Sequence, residues 1–304
     1  MKKFSFIFSI IFLLSCGAEE KKAQDGNPEK KDTLISVADT VSTIESADSI
    51  YVIYEYKNDR LLYGYESKSG KIKIEPQFNA AGEFFNGKAP VVKGDVHGFC
   101  DTTGKIIIKL NCRFNTYDDE LSGETTLDGA GEGFYDVMDE NENHGFVNSE
   151  GKLVIGFDYV AVEAFSQGLA IVYVDGKAGF IDTTGKMIIS PQYDDAHSFH
   201  EGLSSVRING KYGFINKKGE MVIEPKYTEA WYFGDGLCAV STSEEYGNYF
   251  FIDKTGKTII KGPFEGTETF KNGKAVVMKN GRCMLIDKTG KKLEDLGIDC
   301  FAGC

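Results

Sequence analysis

From residue 50 onward the chain is written in short runs in which apolar and polar residues alternate. Leu203 to Ile208 reads Leu-Ser-Ser-Val-Arg-Ile, Lys211 to Asn216 reads Lys-Tyr-Gly-Phe-Ile-Asn, and Met221 to Ile223 is a third apolar run. Short runs of period 2, bounded by turn residues, predict strands rather than helices. Asn209-Gly210, between the first two runs, is the sequence of a two-residue hairpin turn. Between the second and third stands Asn-Lys-Lys-Gly, elsewhere Asp-x-Thr-Gly. Asp or Asn at the first turn position accepts backbone N–H bonds and the closing glycine supplies positive φ, which predicts a type I turn followed by a bulge. The product is a three-stranded antiparallel meander.

That meander repeats. Gly179 to Tyr193 returns as Gly213 to Tyr227, and the turn glycine recurs at Gly70, Gly104, Gly151, Gly185, Gly219, Gly256 and Gly290, with gaps of 34, 47, 34, 34, 37 and 34. Seven units of about 34 residues follow, the long gaps marking insertions of 13 and three residues. The first strand carries Val91, Val137, Val172, Val206, Val240 and Val277 at one position. Two residues earlier stand Ala89, Tyr135, Ala170, Ser204, Cys238 and Ala275, on the same face. Mostly small residues there predict close approach by another sheet. Phe84, Phe165, Phe199, Phe233 and Phe270, each opening Phe-x-x-Gly, are expected to plug the joints between units. Pro76, Pro191, Pro225 and Pro263 are expected to end the third strand, because proline cannot donate to a ladder. A lone meander cannot bury such a face, so neighbouring units must cover it. The expected architecture is all-β: an open, β-solenoid-like stack of the seven units, with a seven-bladed β-propeller as the alternative.

Composition adds little against this picture. Glycine at 35 of 304 residues against six prolines fits many tight turns, and 12% aromatics is too rich for a disordered chain. The net charge of −12 argues against nucleic-acid binding through phosphate contacts.

The N-terminus is of another kind. Lys2 and Lys3 precede an apolar run, Phe4 to Leu14, of 11 residues, too short for the roughly 20 that span a bilayer. This is the pattern of a secretory signal. It ends Leu13-Leu14-Ser15-Cys16, which resembles the bacterial lipobox, in which the cysteine is lipidated and becomes the mature N-terminus. Removing Lys2 and Lys3 leaves 34 − 2 = 32 basic against 46 acidic residues, net −14. Glu19-Glu20 just beyond resembles the export signals of surface lipoproteins; an acidic tether is the other reading of the same pair. Residues 17–49 contain no aromatic residue and predict a flexible tether, about 30 Å end to end. The expected divisions are therefore 1–16 signal, 17–49 tether, 50–295 repeat domain and 296–304 a cysteine-containing tail.

Gly-Phe-Ile-Asp-x-x-Gly-Lys, then Ile-x-Pro-x-Tyr, then Phe-x-x-Gly-Leu resembles the WG repeat family of bacterial proteins over about residues 50 to 295. The family is named for a Trp-Gly pair opening the middle strand. Here Tyr63, His97, His144, Ala178, Tyr212, Tyr249 and Cys283 stand at the tryptophan position, and Phe250 and Met284 replace the glycine in the last two units. The resemblance implies a binding or scaffold module and transfers no catalytic residue.

Candidate chemistry is sparse. His97 and His144 share a position with tyrosine and alanine, which predicts interchangeable packing. His197 and His200 have no companion ligand at metal spacing, so no metal and no cofactor is expected. Lys-Thr-Gly at 254–256 and 288–290 is the repeat's turn. Gly256-Lys257-Thr258 lacks the first glycine of a phosphate loop. Asp182-Thr-Thr-Gly lacks the carboxylates of a calcium loop. Cys100 and Cys238 fall at core positions and predict buried thiols. Cys300 and Cys304, with Cys283 nearby, are the disulfide candidates. Trp231 and Tyr232 are free of the repeat pattern and form a candidate binding pair, with packing against the next unit as the alternative. The insertion at about 115–131 carries Asp118, Asp119, Glu120, Glu124 and Asp128, a candidate site for cations or basic partners, with a merely solvated loop as the alternative.

These observations predict a monomeric, non-catalytic outer-membrane lipoprotein, plausibly facing outward and held to the membrane by its lipid anchor. Its repeats would bind protein or glycan partners. The alternatives are an envelope hydrolase using carboxylates near the 115–131 insertion and a mechanical spacer without ligand.

Overall fold

Each predicted hairpin forms, and its turn shows why. Leu203–Ile208 pairs with Lys211–Asn216 from Leu203↔Asn216 to Ile208↔Lys211. Asn209 and Gly210 close the pair at φ 51° and 77°, the positive values a type I′ turn demands. On the far side Met221–Tyr227 pairs with the middle strand. The turn between them is held by Asn216, whose Oδ1 accepts from the backbone N–H of Lys218 at 2.9 Å and Glu220 at 3.1 Å. The computed structural model describes residues 50–57, 60–118, 125–127, 131–245 and 247–297, and among the described residues there is no helix. Cys16, the 17–49 tether, Asp119, Cys300 and Cys304 lie outside the described residues.

Two features differ from expectation. The third strand runs through its proline: Pro76, Pro191, Pro225 and Pro263 lie within Ile72–Phe78, Met187–Tyr193, Met221–Tyr227 and Thr258–Phe264. That strand is the outer edge of its sheet and shifts register there, so the missing N–H costs no ladder bond. The meander also gains a fourth strand of two residues beside the first: Ala80–Ala81, Arg113–Phe114, Ala161–Val162, Asp195–Ala196, Glu229–Ala230 and Gly266–Thr267. The first unit alone among the described sheets of the array has three strands, Ile50–Lys57, Arg60–Ser67 and Ile72–Phe78. The large insertion carries a separate hairpin, Thr116–Asp118 with Thr125–Leu127.

The glycine of the middle strand is required by the third strand. A Cβ on Gly64, Gly145, Gly179 or Gly213 would lie 2.5, 2.5, 2.7 or 2.5 Å from a third-strand carbonyl oxygen. In the sixth unit Phe250 occupies this place, and Gly262 of the third strand has taken over: its Cβ would lie 2.0 Å from the carbonyl oxygen of Tyr249. The close approach persists, and the glycine has changed strands.

Successive sheets meet in a repeated joint. The valine row is fully buried. The Phe-x-x-Gly aromatic of each unit packs against the middle strand of the unit before: Phe84 on Tyr65 at 4.7 Å between ring centroids, Phe165 on Phe146 at 4.9 Å, Phe199 on Phe180 at 5.0 Å, Phe233 on Phe214 at 5.1 Å, Phe270 on Phe251 at 5.0 Å. Each turn glycine from Gly104 to Gly290 sits over the third-strand isoleucine of the preceding unit, Ile74, Ile108, Ile155, Ile189, Ile223 and Ile260 in turn. A ladder of polar bonds runs through the Phe-x-x-Gly loops. Glu132, Gln167, Glu201 and Asp235 each accept from the backbone N–H of a glycine one unit on, Gly168, Gly202, Gly236 and Gly273, at 2.9, 2.8, 3.0 and 2.5 Å.

Among the described residues the joint is not continued at the two ends. Gly70 has nothing within 4 Å of its Cβ position, and Glu294, exposed, stands where the other units have the isoleucine. The fold is thus an all-β tandem array of blade-like antiparallel sheets. A polar terminal face is what a repeat array needs at its end.

The glycine exchange gives a test. Gly213→Ala should lower stability by about 1–3 kcal/mol, the usual cost of overpacking. Gly156→Ala, whose Cβ would meet only the Asp158 carboxylate at 3.1 Å, should cost well under that. Urea unfolding midpoints of the two variants provide the comparison; equal losses would contradict the strand-approach account.

Candidate functional site

Twelve residues after each turn glycine, where the short strand ends, the chain places a different side chain in nearly every unit. Glu163, His197, Trp231 and Glu268 hold this position in the fourth to seventh units, the first three half-buried and Glu268 exposed. Each hangs its backbone N–H on a carbonyl of its own first long strand: Ile171 at 3.0 Å, Ser205 at 2.9 Å, Ala239 at 3.1 Å and Val276 at 2.8 Å. The four side chains therefore occur at one edge of the array, at equivalent points of successive sheets.

Around them lies a polar and aromatic lining. Asp195, on the short strand of the fifth unit, accepts from Tyr212 Oη at 2.7 Å and from Tyr173 Oη of the preceding unit at 3.2 Å. Burial and the neighbouring carboxylate push both tyrosine hydroxyls well above their ordinary pKa, so they are held as donors. His197 stacks on Tyr212 with centroids 5.5 Å apart and shares a 2.8 Å hydrogen bond with Ser205 Oγ. Arg207 lies over the Tyr212 ring, 5.8 Å from its centroid. In the next unit Tyr249 Oη donates to Glu229. Partial desolvation raises the Glu268 carboxyl above its usual range, and Glu268 borders a cavity of about 410 Å³ shared with Lys271 and Leu285.

This arrangement can recognise by hydrogen bonding and stacking. His197 and Ser205 have the residue types of a nucleophile pair, but Ser205 is buried at 1% exposure and Asp195 is engaged by two tyrosines. Among the described residues no group of three or more His, Cys, Asp or Glu is placed to hold a metal ion.

The proposed aromatic pair is set into packing. Trp231 lies against the cores of two successive joints, and Tyr232 stacks on His200 of the preceding unit at 4.2 Å. Asp118 ends the strand Thr116–Asp118. Cys100 and Cys238 are buried free thiols, and burial pushes the Cys100 thiol up to about 11.

The histidines of the tryptophan position are not interchangeable packing. His97 Nδ1 accepts the backbone N–H of Phe114 at 3.0 Å. His144 Nδ1 donates to the Asp136 carboxylate at 2.9 Å, and Asn115 Nδ2 donates to the same group at 2.8 Å. Asp136 was missed in the sequence, although an acid among the buried residues of Phe134–Met138 is a visible irregularity. Its carboxylate is fully buried, and such a charge needs these partners.

Five segments match the model of the WG containing repeat: residues 63–96, 145–177, 179–212, 212–246 and 249–283, together more than half the chain. The chain belongs to the WG-containing repeat family. The matched segments open at or just after the tryptophan position, and they omit the stretch holding the large insertion. No curated protein matches the chain. Among solved structures, a crystal structure of the eukaryotic initiation factor is similar at a TM-score of 0.53 and 11% identity, over 83% of this chain and 74% of that one. BamB from Moraxella catarrhalis is similar at a TM-score of 0.48 and 11% identity, over 82% and 88%. At such identity the first likeness shows the fold alone, and the second carries no weight here.

Burial lowers the pKa of His97 and His197 below the ordinary 6.5, with Arg113 and Arg207 respectively adding to the effect. The folded protein favours neutral rings, so the unfolded chain takes up protons first. The histidine contribution is present above about pH 6.5 and is lost as pH falls below it. The thermal midpoint should therefore drop between pH 7.5 and 5. His97→Asn, which keeps an acceptor for the Phe114 N–H without titrating, should drop less. Parallel pH profiles for the two proteins would contradict this assignment.

Proposed function

We propose that this WG-repeat array is a non-catalytic binding scaffold of the cell envelope, tethered by a lipid on Cys16, which engages protein or glycan partners along its polar edge. One observation carries the reading. Positions that build the joints hold nearly the same residue in every unit, whereas the edge position, half-buried or exposed, holds Glu163, His197, Trp231 and Glu268. Uniform packing with a varied, partly exposed lining is how a repeat array presents a recognition surface. Carboxylates, tyrosine hydroxyls and an aromatic plane suit sugar hydroxyls or peptide groups. The acidic residues of the insertion, Asp118 and Asp119 among them, are a second candidate for basic partners. No metal or cofactor enters this reading, and the protein acts as a monomer.

The location rests on the basic start, the 11-residue apolar run and the Leu-Leu-Ser-Cys end. The acidic Glu19-Glu20 favours the outward face of the outer membrane. Several acyl chains, at about 0.8 kcal/mol per buried CH₂, hold such a protein firmly.

Cys16→Ala should move the protein from the membrane to the soluble fraction; unchanged membrane association would refute the lipid anchor. For binding, the mature protein is screened on glycan arrays and by pull-down from envelope extracts. Glu163→Gln together with Glu268→Gln should weaken whatever is captured at least tenfold while leaving the circular dichroism spectrum intact. Undiminished capture by that variant would move the site off this edge, and failure to capture anything would leave the spacer reading.

A further inference from the structure

Arg207 breaks the repeat at a place where the other sheets are neutral. It lies opposite Asp195 in the pairing of the short strand with the first long one, and the same place holds Val92, Met138, Tyr173, Ser241 and Met278 elsewhere. A charge set there loses part of its hydration and needs a partner in return. Arg207 is half-buried, yet among the described residues no carboxylate forms an ion pair with it. Its Nε is shut off from solvent and donates to no described atom. We propose that Arg207 is the anchor of the binding edge for a ligand carboxylate, and that the ligand is an acidic glycan, a sugar chain carrying isolated uronic acids.

The neighbouring carboxylates are engaged elsewhere. Asp195 takes the hydroxyls of Tyr173 and Tyr212, and Glu229 takes that of Tyr249. Asp195, Glu229 and Arg207 all act on the Tyr212 hydroxyl, so these charges share one small region, and each acid there has a neutral O–H donor instead of the guanidinium. The cation is steadied from one side: its Cζ lies 5.8 Å from the centroid of the Tyr212 ring, which stacks with His197. Burial, with Arg207 adding to it, favours the neutral His197 ring, so Arg207 is the fixed positive charge of the cluster. Among the described residues its terminal nitrogens make no hydrogen bond. A guanidinium held against an aromatic ring presents those N–H groups as a planar fork, and a carboxylate matches the fork with two parallel bonds.

The rest of the edge favours a sugar as the carrier of that carboxylate. Asp195 and Glu229 already take O–H donors, and Glu163 and Glu268 extend the row of hydroxyl acceptors to the sheets on either side, with the half-buried aromatic side chain of Trp231 between. Sugars supply many hydroxyls and an apolar ring face for such a lining. Densely charged polyanions are excluded, because the chain as a whole carries a net charge of −12 and repels them. The carboxylates of the ligand must therefore be separated by neutral sugars. For the same reason, overall attraction cannot imitate a preference for the acid. The inference rests on the binding-edge reading and names the ligand class of that edge.

The test is titration calorimetry of the full-length protein with two oligosaccharides of spaced carboxylates, a hyaluronan tetrasaccharide and a glucuronoxylan-derived aldotetraouronic acid, each beside its neutral methyl ester. Each acid should bind about tenfold more tightly than its ester, the worth of one charge-assisted pair. Arg207→Gln should erase that difference and leave the ester affinity unchanged, whereas Arg207→Lys, which keeps the charge without the fork, should retain part of it. An arginine with only a structural role would on replacement weaken acid and ester alike. The comparison of acid with ester on the wild type needs no variant. Equal affinity for acid and ester, an unchanged preference in Arg207→Gln, or no binding of either acid overturns the proposal. So does a peptide with a free C-terminus that binds more tightly than both acids and than its own amide, which assigns Arg207 to a peptide carboxylate. If the acids fail while capture sensitive to Glu163→Gln with Glu268→Gln persists, this inference falls and the edge reading stands; if nothing is captured, both fall.

Discussion

The aromatic contact across each joint is what the rest of the array depends on. A sheet of three long strands and one of two residues has too little interior to stand alone. Phe199 against Phe180, and its counterparts at the other joints, give each sheet a second face to bury. The small residues two before most of the valines, Ala170 or Ser204, let the next sheet come close enough for that contact. The turn glycine settling on the preceding isoleucine fixes the spacing at the outer side, and the Gln167-to-Gly202 type of bond fixes it at the loops. Hydrophobic burial supplies most of the stabilisation, and the polar ladder sets the register of one sheet on the next.

The close approach of middle and third strands is the second constraint, and it explains an irregularity that the sequence alone leaves unexplained. Phe250 and Met284 break the family's glycine. In the sixth unit Gly262 keeps the two backbones apart from any side chain. In the seventh the third strand carries no proline, and its residues from Lys292 to Leu296 are exposed. Among the described residues no further sheet follows the seventh, and Glu294 in the isoleucine place is the expected adjustment of a terminal unit.

Much of the fold was legible because its signals are local. Asn209-Gly210 and the Asp-x-Thr-Gly turns dictate hairpins from their own residues, and the period of the turn glycine counts the units. The fourth strand was not legible, since two residues such as Asp195–Ala196 carry no periodicity. Pro225 misled because the rule against proline in a ladder does not reach an edge strand with a bulge. The edge site was harder still. Tyr173 and Asp195 are 22 residues apart and meet only because successive sheets stack, and Asp136 gains its meaning from Asn115 and His144. Trp231 and Tyr232 stood out by composition, yet their surroundings are the packing of a joint.

Hydrogen exchange on Phe199→Ala tests the joint account most directly. Removing a buried phenylalanine costs about 3–5 kcal/mol, enough to reduce amide protection by at least ~100-fold where the loss is felt. The account predicts that reduction in Lys177–Asp182 and Leu203–Ile208, the strands on either side of the emptied joint, with Arg60–Ser67 of the first unit protected as in the wild type. Equal loss of protection in all seven units, or none near residue 199, would contradict it.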